Sequence, residues 1–395
     1  MPIVRLKPGH VQPVWMGHPW IYAQAIDRVE GGATPGDEVS VLDPRGNLLG
    51  RGFYSPGSAI PVRLLVRDEK TRLDASFFHA RVEQAVALRA SLGLPNEHTN
   101  SFRLIHAEGD GLPGLVVDRS GDVLAVQLGT IGMKQREALV HEALWTHLHP
   151  RAILDRTGAQ TAKTEGFEPS SGVVRGDEVR SLDILERGLR FRIPLELGQK
   201  TGFYFDQRSL RGRVEQLSHG RRVLDAYSFV GAFALAAARG GAREVLAVDE
   251  SALAVEVGAE CAEANGLSDR VKFAKEDARR ALAEAHGSFD LVIVDPPRLA
   301  PNRAARDQAL IAYARLAENA CRAVRPGGLL VLCSCSAAVD LHALTRALAQ
   351  GATRANVDAT VLERWFQGAD HPVPAAFGEG LYLKALIAHI TARPS

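Results

Sequence analysis

A chain of 395 residues, 46% of them hydrophobic, is long enough for two or three domains with separate cores, and its net charge of +1 excludes a strongly basic nucleic-acid coat protein but not one basic face. With no run of about 18 apolar residues and no charged-then-apolar leader, the reading is a soluble, cytoplasmic protein with no membrane partner. Its four cysteines (Cys261, Cys321, Cys333 and Cys335) form no C-x-x-C pair and have no histidine at zinc spacing, so neither a disulfide framework nor a metal site is expected.

Residues 1–70 read as a small β domain, with strands near Ile3–Leu6, Glu38–Leu42, Leu48–Tyr54 and Ile60–Val66 separated by Gly/Pro/Asp turns. Around Lys7-Pro8-Gly9-His10 and Gly17-His18-Pro19-Trp20-Ile21-Tyr22, basic and aromatic groups lie close together. That mixture suits stacking on unpaired bases, which makes Trp20 a candidate RNA contact; plain core packing of Trp20 and Tyr22 is the alternative.

Residues 71–185 read as a central α/β domain. Asp74 caps a helix with apolar positions Phe77, Phe78, Val82, Ala85 and Val86. Leu112–Asp118 and Val123–Leu128 form a hairpin, Lys134–Leu148 a helix, Ala152–Asp155 a strand, and Thr161–Gly176 a polar loop. His106, Glu108 and Asp110 fall in a glycine-rich turn, which accounts for them better than a metal does.

A third domain is expected over residues 186–395. Leu189–Leu197 alternates as a strand, with Pro194 placing it at an edge and Phe203–Phe205 returning as its partner. Gly198-Gln199-Lys200-Thr201-Gly202 lacks the order of a phosphate loop. Asp206-Gln207-Arg208 leads into a basic helix on which Arg208 and Arg211 are expected to face RNA.

Arg222 to Asp249 reads as strand, turn, helix and strand, the opening βαβ unit of a doubly wound sheet. Asp225 closes the first strand, Gly231 opens a helix over Phe233–Arg239 that stops at Gly240-Gly241, and Asp249 closes the second strand, placed to accept a ribose diol. A dinucleotide site needs bare glycines in the turn, where this chain carries Tyr227, Ser228 and Phe229. S-adenosylmethionine has no phosphates and tolerates those side chains.

Two further strand tips end in Asp277 and in Asp295-Pro296-Pro297-Arg298, and the next strand runs into Cys333-Ser334-Cys335-Ser336. A pyrimidine C5 becomes nucleophilic only after something adds to C6, which a thiolate at a strand end can do. Asp295 would hold the cytosine edge. Cys333 and Cys335, two apart, project to one side of an ideal strand; Cys261 and Cys321 are read as small core residues of helices. These residues alone also allow methylation at guanine N2 or uracil C5, or a non-catalytic RNA-binding assembly factor.

Several motifs occur in one order along the chain: Gly17-His18-Pro19-Trp20, Arg51-Gly52-Phe53-Tyr54-Ser55-Pro56, Arg103-Leu104-Ile105 with Glu108-Gly109-Asp110-Gly111, Gly198 to Gly202 with Asp206-Gln207-Arg208, Ser228-Phe229-Val230-Gly231, Asp295-Pro296-Pro297, Ser334-Cys335-Ser336, Asp370-His371-Pro372-Val373 and Tyr382-Leu383-Lys384. In them the chain resembles the RlmI-type large-subunit ribosomal RNA 5-methylcytosine methyltransferases over nearly its whole length. The resemblance implies an α/β protein: a small β-barrel PUA domain, a central α/β domain and a C-terminal class I (Rossmann-like) methyltransferase domain. It implies 23S ribosomal RNA as partner and S-adenosylmethionine as cofactor, leaves a homodimer open, and places the nucleophile on Cys335 rather than Cys333. The expected site is then Cys335 and Asp295 for catalysis, and Lys200, Thr201, Gln207, Asp225, Tyr227, Ser228, Phe229, Gly231, Asp249, Ser251, Asp277, Ala278, Asp295 and Pro296 for the cofactor. Trp20, Arg208, Pro297 and Arg298 are expected to meet substrate.

Overall fold

The computed structural model describes residues 1–197, 202–300 and 302–393. The chain divides into two compact units: Met1–Gly188 with Ile193–Phe205 and Ala369–Gly378, and Leu189–Arg192 with Asp206–Gly368 and Glu379–Ser395.

The first unit contains two large sheets. In the six-stranded one the order is Trp20–Ile21, Val62–Val66, Leu48–Tyr54, Glu38–Leu42, Ile3–Leu6 and Ile26–Glu30. Period-two burial sets its inner face, where Val4, Leu6, Val39, Val41, Val62 and Leu64 share one core. Two of these strands, Trp20–Ile21 and Ile26–Glu30, carry no alternation and escaped the sequence reading.

The five-stranded sheet runs Gly172–Gly176, Ala152–Asp155, Val123–Leu128, Leu115–Ser120 and Ser101–His106. The helix Ala75–Ser91, capped by Asp74 on the Ser76 amide, packs on it through Phe78, Val82 and Ala85. The helix expected over Lys134–Leu148 is two, Ile131–Lys134 and Glu137–Leu148. The loop expected over Thr161–Gly176 contains a helix, Ala159–Glu165, and the edge strand Gly172–Gly176. Only Ala162 of that helix is buried, and the strand has no buried residue, so neither leaves a periodic apolar trace.

Asp370 and its neighbours are built into this first unit. Arg89, 1% exposed, forks onto Asp110 (Nη2 to Oδ2, 2.9 Å) and donates to the backbone carbonyls of Arg103 and Asp370, each at 2.9 Å. The Asp370 carboxylate accepts from the Arg103 amide (3.0 Å). A Cβ on Gly109 would come 2.0 Å from the Pro372 carbonyl oxygen, so only glycine allows the two backbones to approach so closely. Asp110 thus serves a buried ion pair and a turn. Among the described residues no cluster of His, Cys, Asp and Glu could hold a metal, and no helix is long and apolar enough to cross a membrane.

The second unit is a seven-stranded sheet. Its strands are β1 (Arg222–Ala226), β2 (Glu244–Asp249), β3 (Val271–Lys275), β4 (Phe289–Val294), β5 (Val324–Ser334), β6 (Val357–Trp365) and β7 (Lys384–Ala392). They lie in the order β3-β2-β1-β4-β5-β7-β6, parallel from β3 to β5, with β7 antiparallel to both β5 and β6. Helices α1 (Ala232–Arg239), α2 (Ala252–Ala264), α3 (Ala278–Glu284), α4 (Arg306–Ala323) and α5 (Leu341–Arg354) connect the strands. Every residue of β4 is buried, as expected for a central parallel strand covered on both faces. No strand forms at 203–205: Phe203 and Phe205 are buried with ring centroids 5.3 Å apart, and Phe205–Gln207 is a 3₁₀ turn.

Replacing Arg89 with Met would leave the Asp110 carboxylate buried without its counter-charge. The expected loss is on the order of 3–5 kcal/mol, read as a lower urea midpoint for the transition that exposes the first unit.

Candidate active site

Strand order reverses between β1 and β4, and at such a point an open parallel sheet leaves a crevice at its carboxyl edge. The turn after β1 has an unusual backbone: Tyr227, Phe229 and Gly231 all have positive φ, at 65, 52 and 74°. For two aromatic residues this is strained, and strain of this kind marks functional turns. Hydrogen bonds fix it, from the Ser228 amide to the Val248 carbonyl (2.9 Å), from the Gly231 amide to the Ser228 carbonyl (2.8 Å) and from the Phe229 amide to Asp249 Oδ2 (2.8 Å). Gly231 cannot be replaced without movement, because a Cβ there would lie 2.5 Å from Phe273 Cζ.

The acids at the strand tips are held in different ways. Asp249 Oδ1 accepts from the Ser251 amide (2.9 Å), and Ser251 caps α2 at Ala254. Asp277 caps α3 through the Arg279 amide (2.8 Å), just before the buried Ala278, and the Arg279 guanidinium beside it lowers its ionisation range. Asp225 is 1% exposed. Its Oδ2 accepts from the Ala234 amide (3.0 Å), but among the described residues Oδ1 has no hydrogen-bond partner, nor does Ser228 Oγ. Burial pushes the Asp225 carboxyl up to about 8, helped by the negative charges of Asp295 and Asp249.

Asp295, just past β4, accepts from Gln207 Nε2 (3.0 Å). Burial first, and the neighbouring Asp206 second, raise it to about 7, while the Gln207 amide and the Arg211 charge act the other way. Asp206 in turn accepts from the Tyr382 hydroxyl (2.7 Å). Pro296 is buried, and Pro297 and Arg298 are exposed. Sequence reasoning gave Asp206 no role; its only signal was its place beside Gln207.

Strand β5 stops at Ser334, so the two-residue alternation that would pair Cys333 with Cys335 ends before Cys335 is reached. Cys333 is fully buried and its thiol is pushed well up by that burial, whereas Cys335 is partly exposed. The flanking serines are both buried and face inward. Ser334 Oγ accepts from the Ser336 amide (3.3 Å), and Ser336 Oγ accepts from the Ala300 amide (3.1 Å) and lies 3.4 Å from the Tyr313 hydroxyl. Of Ser334-Cys335-Ser336, only the sulfur residue reaches the surface. Cys335 and Asp295 both act electrostatically on Tyr313 and on Cys333, which brings the two expected catalytic residues into one neighbourhood.

Other expected residues lie apart from this cluster. Trp20 belongs to the first unit, where its Nε1 donates to Glu108 Oε1 (2.7 Å) and its ring meets Phe377 edge-on at 4.6 Å. Arg208 is partly exposed at the start of the helix Arg208–Leu217. Arg211 is 3% exposed and lies over the Phe233 ring, its charge easing Asp225 and Asp295; this corrects the expectation that it faces RNA. Its burial follows from the Phe233 ring beneath its guanidinium and from the acids it faces, Asp225 and Asp295. Lys200 and Thr201 lie outside the described residues.

Residues 4–67 match the PUA-like domain family and residues 152–376 the S-adenosylmethionine-dependent methyltransferase family. The ribosomal RNA large subunit methyltransferase I of Erwinia tasmaniensis is 35% identical over 390 residues, covering 98% of each chain, and that of Shewanella denitrificans 36% over 395, covering 98% of this chain and 99% of its own. The chain belongs to this family. The expected PUA-like, central α/β and Rossmann-like methyltransferase parts are all present in this chain. Among solved structures SMU.776, described as a methyltransferase and complexed with SAH, superposes with a TM-score of 0.86 over 98% of this chain at 19% identity, which speaks for the fold alone.

S-adenosylmethionine is the cofactor of this family, and the crevice fits it. A buried carboxylate oxygen and a buried hydroxyl without partners, ringed by further acids, suit a ligand that carries both an ammonium and a sulfonium. Such a ligand needs Asp225 ionised, so below pH 8 binding must release its proton. S-adenosylmethionine affinity is therefore expected to rise with pH, by up to about tenfold per unit, and to level off above 8. In Asp225→Asn the slope should vanish, as measured by calorimetry across that range.

Proposed function

We propose that this protein methylates C5 of a cytosine in large-subunit ribosomal RNA through a covalent adduct with Cys335. The observation that carries the reading is the exposure of Cys335 alone among its three-residue motif, in the neighbourhood of a carboxyl that still holds a proton near neutrality. The Cys335 thiolate adds to C6, and the electron pair of the C5–C6 bond is drawn toward N3, where Asp295 donates its proton. S-adenosylmethionine supplies the electrophilic methyl group that C5 then takes. Loss of the C5 proton to a base, departure of the Cys335 sulfur from C6 and return of the N3 proton to Asp295 restore the aromatic ring and the starting site.

Asp295 also distinguishes the pyrimidines. Cytosine N3 is an acceptor and calls for a protonated carboxyl, whereas uracil presents an N3–H and calls for an ionised one. A carboxyl raised to about 7 suits cytosine. Methylation at guanine N2 would leave the placement of Cys335 without purpose.

In this reading Tyr227, Ser228, Phe229 and Gly231, with Asp225, Asp249, Ser251, Asp277, Ala278, Pro296 and Gln207, form the cofactor crevice, and the exposed Pro297 and Arg298 meet the nucleotide. C5 and C6 are reachable only when the base leaves its stack. Residues 1–70 and 71–185 would hold the surrounding RNA by phosphate and shape contacts. Trp20 can contribute its ring there, since its N–H is committed to Glu108.

Cys335→Ala should abolish methylation while leaving S-adenosylmethionine binding intact, and 5-fluorocytidine RNA should trap the wild-type protein where 5-fluorouridine RNA does not. Methyl transfer surviving in Cys335→Ala would end this reading. Because the Gln207 amide favours ionised Asp295, Gln207→Leu should move the alkaline limb of the kcat/KM profile upward, by on the order of 0.5–1 pH unit.

A further inference from the structure

Lys384 opens β7 directly opposite Ser334 of β5, in register with the strand end that carries the thiol. It is 3% exposed, although lysine is rarely buried so completely without a counter-charge. Its Nζ donates to the Ser336 carbonyl (2.9 Å), and among the described residues no carboxylate forms a salt bridge with it. A neutral donor would hold that carbonyl as well without the cost of burying a charge. Burial alone draws the ammonium down to about 8, and the two groups that favour its charged form are Cys335 first and Asp340 second. Asp340 already caps α5 at the Ala343 amide (2.8 Å).

We propose that Lys384 is a positioning residue for the nucleophile, its ammonium fixing the turn after β5 and stabilising the Cys335 thiolate across it. The assignment rests on the covalent reading above. Attraction between two charges is mutual, so whatever Cys335 does for the charge of Lys384, Lys384 does for the ionisation of Cys335. Of the described groups coupled to the sulfur, Asp295 is acidic and opposes ionisation, and Cys333 and Tyr313 are buried with their protons held. Lys384 brings a positive charge to the sulfur, as a thiolate nucleophile at neutral pH requires. Nothing in composition or spacing points to it. Tyr382-Leu383-Lys384 stood out in the sequence only as a motif without a task.

The thiol can be read without any methyl transfer. Mass-resolved alkylation of Cys335 by iodoacetamide from pH 5 to 10 gives its ionisation midpoint, with buried Cys261, Cys321 and Cys333 as internal references. In Lys384→Gln, which keeps a donor for the Ser336 carbonyl but no charge, the midpoint should rise by about one unit, with alkylation at pH 7 about tenfold slower. Lys384→Arg should stay within a few tenths of wild type, and Lys384→Met should follow Lys384→Gln. An unchanged midpoint in Lys384→Gln overturns the proposal. A raised midpoint together with undiminished methylation by Cys335→Ala would leave this electrostatic pairing standing and remove the covalent reading instead.

Discussion

Two carboxyl groups at the tips of adjacent strands, Asp225 buried and Asp295 half-buried, set the electrostatics of this site. Asp225 and Asp295 end strands whose other residues, Val223 and Leu224 or Leu291 to Val294, belong wholly to the core. A parallel sheet covered on both faces leaves such groups little solvent, which favours a held proton or a positive partner at each. Their surroundings are graded to that end. Arg211 beneath and the Gln207 amide beside them ease ionisation without completing it, and the orphaned Asp225 oxygen is left for whatever enters. Charge therefore selects the ligand before shape does. A neutral nucleoside would leave the deficit in place, and one carrying positive charge removes it.

The thiol side of the crevice shows a similar division of labour. Ser334 and Ser336 spend their hydroxyls on the amides of Ser336 and Ala300 and so shape the chain around Cys335. Cys333, two residues away and chemically identical, has its sulfur inside the sheet, where burial suppresses ionisation. Position relative to the strand end separates a half-exposed thiol from a buried one.

Much of this could be read from the chain because core strands leave an unambiguous signature. Phe289 to Val294 and Arg222 to Ala226, each closed by or containing an aspartate, located the sheet and its carboxyl edge before any coordinates. Where a strand sits at an edge, as Gly172–Gly176 does, half its surface is wet and the pattern fades. Arg211 was misread because a basic helix is ordinarily a solvated face, and its burial depends on Phe233 and on acids that fold in from elsewhere. Lys384 was silent for the same reason: its meaning lies in the partner strand, some fifty residues earlier in the chain. Local pattern reports which face is inside; it does not report what that face meets.

The excursion of Ala369–Gly378 has a consequence for how such a protein can be taken apart. Backbone from late in the chain completes the surroundings of Arg89 near its beginning, so no single scission frees either unit intact. A gene fragment starting at residue 186 would carry the decapeptide without its socket, and one ending there would leave the socket empty. Shuffling these parts by simple fusion, the usual route by which modular enzymes acquire new heads, is closed to a chain threaded in this way.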